Sequence, residues 1–145
     1  MTLHLIKLSV GTESVEDLEQ WQQRRIAQAE RELGRRITWH VTRMVPKRRD
    51  AVLDGGSLYW VIKGQVRARQ VIHDLREERD EEGRRCCVIE MQPELIRVAP
   101  QAQRPFQGWR YLEPARAPAD LSAAGDGVAE MPGWMVAELK ELGLL

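Results

Sequence analysis

Phenylalanine is almost missing from this chain of 145 residues: there is one, beside two Tyr and five Trp. Aromatic packing therefore rests on tryptophan, whose indole N–H needs a partner wherever it is buried. Two cysteines, the adjacent Cys86 and Cys87, are too few for a disulfide framework. Neighbours on a strand point to opposite faces, so the pair reads as free, buried thiols in a reducing cytoplasm. The three histidines, His4, His40 and His73, have no ligand-type spacing to each other or to cysteine, so no metal motif is present. No stretch approaches the roughly 20 apolar residues of a membrane helix. The short apolar start, residues 1–10, is interrupted by His4 and Lys7 and lacks a small-residue cleavage site, which argues against a targeting segment. P-loop, dinucleotide-binding and nucleophile-elbow patterns are missing too. These absences predict a cytoplasmic protein with no cofactor and no membrane partner. They leave its oligomeric state and any catalysis open.

Net charge is absent as well, with 22 basic and 22 acidic residues. It is unevenly spread. Residues 1–34 hold 4 basic and 6 acidic groups, residues 35–110 hold 16 and 10, and residues 111–145 hold 2 and 6. A basic middle between acidic ends points to an anionic partner, although a solvated arginine-rich face would give the same counts. A chain of this size with 43% hydrophobic residues forms one domain with a real core.

Residues 3–10 alternate as a strand. Ser14 with Asp17 resembles a capping box opening a helix over 14–33, with Gly34 as its C-cap. Val15, Leu18, Trp21, Ile26, Ala29 and Leu33 form its apolar stripe, which assigns Trp21 to the core. The period changes from 3.6 to 2 after Gly34. Residues 37–43 read as a strand and Pro46–Leu53 as a short helical turn. Strands follow at 58–63, 66–76, 84–91 and 95–98. Gly64-Gln65 fits a type II′ turn that sets Trp60 opposite Arg69. Residues 99–110 read as an ordered loop. The fold class is α+β and mainly antiparallel, curled into a small open barrel, with one long N-terminal helix and a short C-terminal helix. The domain spans 1–145, with a core at 1–112, an extended tail at 113–133 and a helix at 134–145.

The blocks Lys7–Gly11, Thr42–Arg48, Gly55–Gly64, Arg69–Ile72, Arg104–Leu112 and Pro118–Leu121 resemble a small bacterial family, domain of unknown function 1489, found mainly in alphaproteobacteria. The resemblance spans nearly the whole chain and implies no assigned activity, so it transfers no catalytic residues. At the level of fold, an early helix followed by a glycine turn opening the aromatic strand Leu58-Tyr59-Trp60 is similar to PUA-like barrels, including their ASCH and EVE branches. That similarity implies binding of RNA or modified bases.

Cations interleaved with aromatics suit phosphate contact and base stacking. The candidate nucleic-acid-binding residues are Arg43, Lys47, Arg48 and Arg49 on the basic turn, and Trp60, Lys63, Arg67 and Arg69 on the central hairpin. Arg104, Trp109 and Arg110 join them from the later loop, whose Phe106 reads as a latch on the barrel end. The expected partner is RNA or a nucleotide. A small hydrolase using Thr42, Lys63 and Glu90 is the alternative, and a docking module built on the C-terminal helix is a third reading.

Overall fold

The computed structural model describes residues 2–121. The helix expected over 134–145 and the tail beyond Leu121 lie outside the described residues. Strand β1 (His4–Leu8) leads into helix α1 (Val15–Leu33), strand β2 (Thr38–Thr42) and short helix α2 (Arg49–Leu53). Five strands follow: β3 (Ser57–Ile62), β4 (Gln65–Arg79), β5 (Arg85–Met91), β6 (Ile96–Ala102) and β7 (Trp109–Leu112). A 3₁₀ turn covers Pro114–Arg116. No described helix is long and apolar enough to cross a membrane.

The strands run β2-β5-β4-β3-β1-β7 across one sheet, with β6 added to β4. Every pairing is antiparallel except β1 with β3. Fifteen-residue β4 organises the sheet: its first half pairs with β3 and β6, its second half with β5. A register shift between Ile72 and Asp74 marks the change of partner, as bulges do where a sheet bends.

All six residues of β3 are buried, because both of its faces are covered. Leu58, Trp60 and Ile62 join one core with Leu5, Leu18, Val52, Ile89 and Met91. Tyr59 and Val61 join a second core with Ile6, Val66, Val98, Phe106 and Leu112. Phe106 packs into the second core, whereas Trp109 belongs to the first.

Helix α1 begins where the sequence indicated. Ser14 Oγ accepts from the Asp17 N–H at 3.1 Å, and Asp17 in turn accepts from the Glu13 N–H at 3.0 Å. Gly34, at φ 66°, closes the helix in the left-handed region. Its buried stripe differs from the sequence expectation: Val15, Leu18, Gln22, Ile26 and Ala29 face inward, while Trp21 is 70% and Leu33 59% exposed. A polar residue displaced a tryptophan because Gln22 finds a buried amide partner in Gln70, so the helix turns that residue inward.

The central hairpin also departs from the expected register. Lys63 (φ 50°) and Gly64 (φ 76°) both take positive φ, the signature of a type I′ turn, and Ile62 pairs with Gln65. With a further shift at Trp60/Val61, Trp60 faces Ala68 and Tyr59 faces Arg69. Trp60 and Arg69 therefore lie on opposite faces, since a one-residue slip inverts every side chain. The loop expected over 99–110 is shorter, because β6 runs on through Pro100 and Trp109–Leu112 forms a strand against β1.

Gly56 fixes the entry to β3. A Cβ there would sit 2.3 Å from the carbonyl oxygens of both Leu3 and Val52. These are backbone atoms, with no flexible side chain to move aside. Gly56→Ala is expected to lower stability by roughly 1–3 kcal/mol or more, the usual cost of overpacking. An unchanged denaturant midpoint would contradict this packing.

Candidate nucleic-acid interface

Strand β1 alternates so that Leu3 and Leu5 enter the first core. Lys7 is the next residue on that face. In register, Lys7 lies between Trp60 on β3 and Trp109 on β7. Its amine is half-buried, burial lowers its pKa, and among the described residues no carboxylate lies within ion-pair distance. A lysine at the end of a core stripe, with tryptophans on both sides and no counterion among the described residues, is poorly compensated by those neighbours.

Beside Lys7, a cavity of about 690 Å³ opens between the end of β1, helix α1 and strand β2. That volume falls in the range of ligand sites. Its lining brings together Trp21, Trp39 and Trp60 with Lys7, Arg24 and Arg25, and it contains His40, Gln20 and Gln22 but, among the described residues, no carboxylate. Each wall has a local reason. The exposure of Trp21 follows from the inward turn of Gln22 on α1. Arg25 donates a hydrogen bond to the Trp39 carbonyl and holds its guanidinium 5.4 Å from the centre of the Trp39 ring, a cation–π contact. Trp60 is fixed from behind, its Nε1–H donating to Gln70 Oε1 at 2.8 Å.

His40 sets its ring edge against Trp60, centroids 5.2 Å apart and planes at 88°. Its Nε2 is buried and has no hydrogen-bond partner. Burial, then the charges of Lys7 and Arg25, push its pKa from 6.5 down to about 4. The imidazole is therefore neutral at physiological pH. The other two histidines have different surroundings: His4 Nδ1 accepts from the Ser57 N–H at 3.0 Å, and His73 is exposed.

The residues singled out from sequence are dispersed. The basic turn lies against β7, where Trp109 Nε1 donates to the Met44 carbonyl at 2.7 Å and the Arg48 N–H to the Tyr111 hydroxyl at 3.0 Å. Lys47 and Arg48 are exposed there. Arg43 pairs with Asp80 at 3.1 Å and Arg49 with Asp74 at 2.7 Å. Lys63 pairs with Glu13 at 3.4 Å on the hairpin turn. Arg67 is half-buried on β4. Arg69 grips Asp120 through two bonds of 2.8 Å and also donates to Ser57 Oγ. Arg104 is exposed, and Arg110 sits 4.8 Å over the Phe106 ring. Of these, only Trp60 lines the large cavity.

The hydrolase trio does not meet. Thr42 is buried on β2, Lys63 is at the far turn with Glu13, and Glu90 is held by Arg35 at 3.1 Å and Arg76 at 2.9 Å. Cys86 and Cys87 are free and buried, and burial raises the Cys87 thiol to about 11, which leaves it a poor nucleophile.

Lys7, Arg24, Arg25, Trp39 and His40 were not read as site residues. Lys7 carried a signal: it continues the stripe of Leu3 and Leu5. The others become neighbours only once β2 is placed beside α1.

Fold and cavity define an α+β protein with a mostly antiparallel seven-stranded sheet and a basic, tryptophan-lined site at its seam. The chain belongs to the family described as "Protein of unknown function (DUF1489)", whose model matches residues 5–145 and so includes every residue of the cavity. No curated protein and no solved structure matches it.

The depressed His40 pKa makes a pH prediction. Unfolded, His40 takes up a proton near 6.5; folded, it resists until about 4. The unfolded state binds more protons within that window, so stability falls as pH drops from about 6.5 to about 4. The share due to His40 is roughly 1–3 kcal/mol, discounted for its partial exposure. His40→Phe keeps a ring against Trp60 and should flatten the difference in stability between pH 7 and pH 4 by that amount. Parallel pH profiles for the two proteins would contradict it.

Proposed function

We propose that the protein binds a nucleic acid, RNA first, or a nucleotide, by seating a base in the cavity between α1 and β2. One observation carries this reading: among the described residues, three tryptophans and three cations share a lining that holds no carboxylate. An indole face accepts any base by stacking, and cations without local counterions attract phosphate. The half-buried Lys7 amine supplies a polar contact to the base edge or its phosphate. Exposed Lys47 and Arg48 extend the basic surface along the turn that follows β2. The resemblance to PUA-like barrels ranks RNA above DNA. No observation favours the hydrolase reading, because its three residues stay apart.

Trp21 and Arg24 are both exposed, so each can be replaced without opening the core. In a salt titration with short RNA and single-stranded DNA, Trp21→Ala should weaken binding by roughly 1–3 kcal/mol with the salt slope unchanged. Arg24→Ala should reduce the slope by about one unit, the value of one phosphate contact. Absence of binding by the wild-type protein at low salt would overturn the proposal, because attraction is strongest there.

A further inference from the structure

Lys7 has a cavity on each side. Beyond it lies a second cleft of about 540 Å³, lined by Lys7, Thr42, Arg43, Asp80, Cys86 and Gly108 together with Val41 and Met44. Strand β2 runs past both spaces: Trp39 and His40 face the first, Val41, Thr42 and Arg43 the second. Val41 is 46% and Met44 59% exposed, an apolar rim with no cover among the described residues. The acid in this cleft, Asp80, is already engaged by Arg43 at 3.1 Å and Arg84 at 3.4 Å, so it adds little uncompensated negative charge.

We propose that the second cleft is a further subsite of the same binding site, so that its ligand is a dinucleotide unit or longer single strand with the linking phosphodiester at Lys7. The inference rests on the reading of the first cavity as a base site. Lys7 is the wall common to both spaces, and among the described residues its amine has no anion of the kind a phosphodiester provides. A mononucleotide fills one cavity and leaves the apolar rim of the other in water. A second base covers Val41 and Met44. That subsite offers apolar surface more than directed hydrogen bonds, so it selects little among bases.

The test is calorimetric titration of the full chain with adenosine 5′-monophosphate and with the dinucleoside monophosphate adenylyl-3′,5′-adenosine. The second ligand carries less charge, so charge alone favours the mononucleotide. The dinucleoside is expected to bind at least tenfold more tightly. Val41→Ser and Met44→Gln, neutral changes made singly at exposed positions, should remove most of that gain and leave mononucleotide affinity unchanged. Equal affinity of the two ligands, or a dinucleoside advantage that both variants keep, overturns the second subsite and leaves the base pocket standing. Failure of both ligands to bind the wild-type protein overturns the base pocket, and the second subsite with it.

Discussion

The site depends on one buried amide. Gln70 on β4 is fully enclosed, and all four of its hydrogen-bonding positions are used. Its oxygen accepts from Gln22 Nε2 at 2.9 Å and Trp60 Nε1 at 2.8 Å; its nitrogen donates to Gln22 Oε1 at 2.7 Å and the Gln92 carbonyl at 3.1 Å. A buried amide left without these partners would cost several kcal/mol, so the arrangement strongly resists change. It fixes the rotation of α1 about its axis. Once Gln22 turns inward, Trp21 and Arg24 are left at the cavity, and the Trp60 ring is held from behind. The exposed tryptophan and the polar core residue are therefore two consequences of one interaction.

Charge counted along the chain differs from charge as it is distributed in space. The basic middle is largely balanced in space by carboxylates near and far in sequence. Arg69 meets Asp120, Arg43 meets Asp80, Arg49 meets Asp74, Arg97 meets Glu16, and Arg35 and Arg76 share Glu90. The three cations that line the large cavity, Lys7, Arg24 and Arg25, come from residues 1–34, where acids outnumber bases. Net charge by segment measures composition, whereas attraction of a ligand depends on which cations lack a neighbouring carboxylate.

Local features of the fold were legible. The Ser14 cap, the Gly34 stop and the switch to strand periodicity are short-range signals, and they placed α1 and most of the strands correctly. The hairpin register was not legible, because Lys63-Gly64 and Gly64-Gln65 are both acceptable turn centres by composition, and the slip at Trp60/Val61 leaves no mark in the sequence. Strand β7 was missed because Trp109–Leu112 becomes a strand only by pairing with β1, a partner more than 100 positions away. The same limit hid the cavity. Its walls come from β1, α1, β2 and β3, and nothing in residues 7, 24, 39 or 40 announces that they meet. On the hairpin the aromatics and cations do not sort as the expected register had them: Tyr59 faces Arg69, and Trp60 lies on the opposite face.

On the proposed reading, the ligand enters the seam between α1 and β2. The most direct measurement is an assigned ¹H–¹⁵N spectrum followed through titration with a short single-stranded RNA. Binding at this seam requires saturable shifts of the Trp21 and Trp39 indole N–H signals and of the His40 backbone amide. RNA that saturates the protein while these signals stay in place would contradict it.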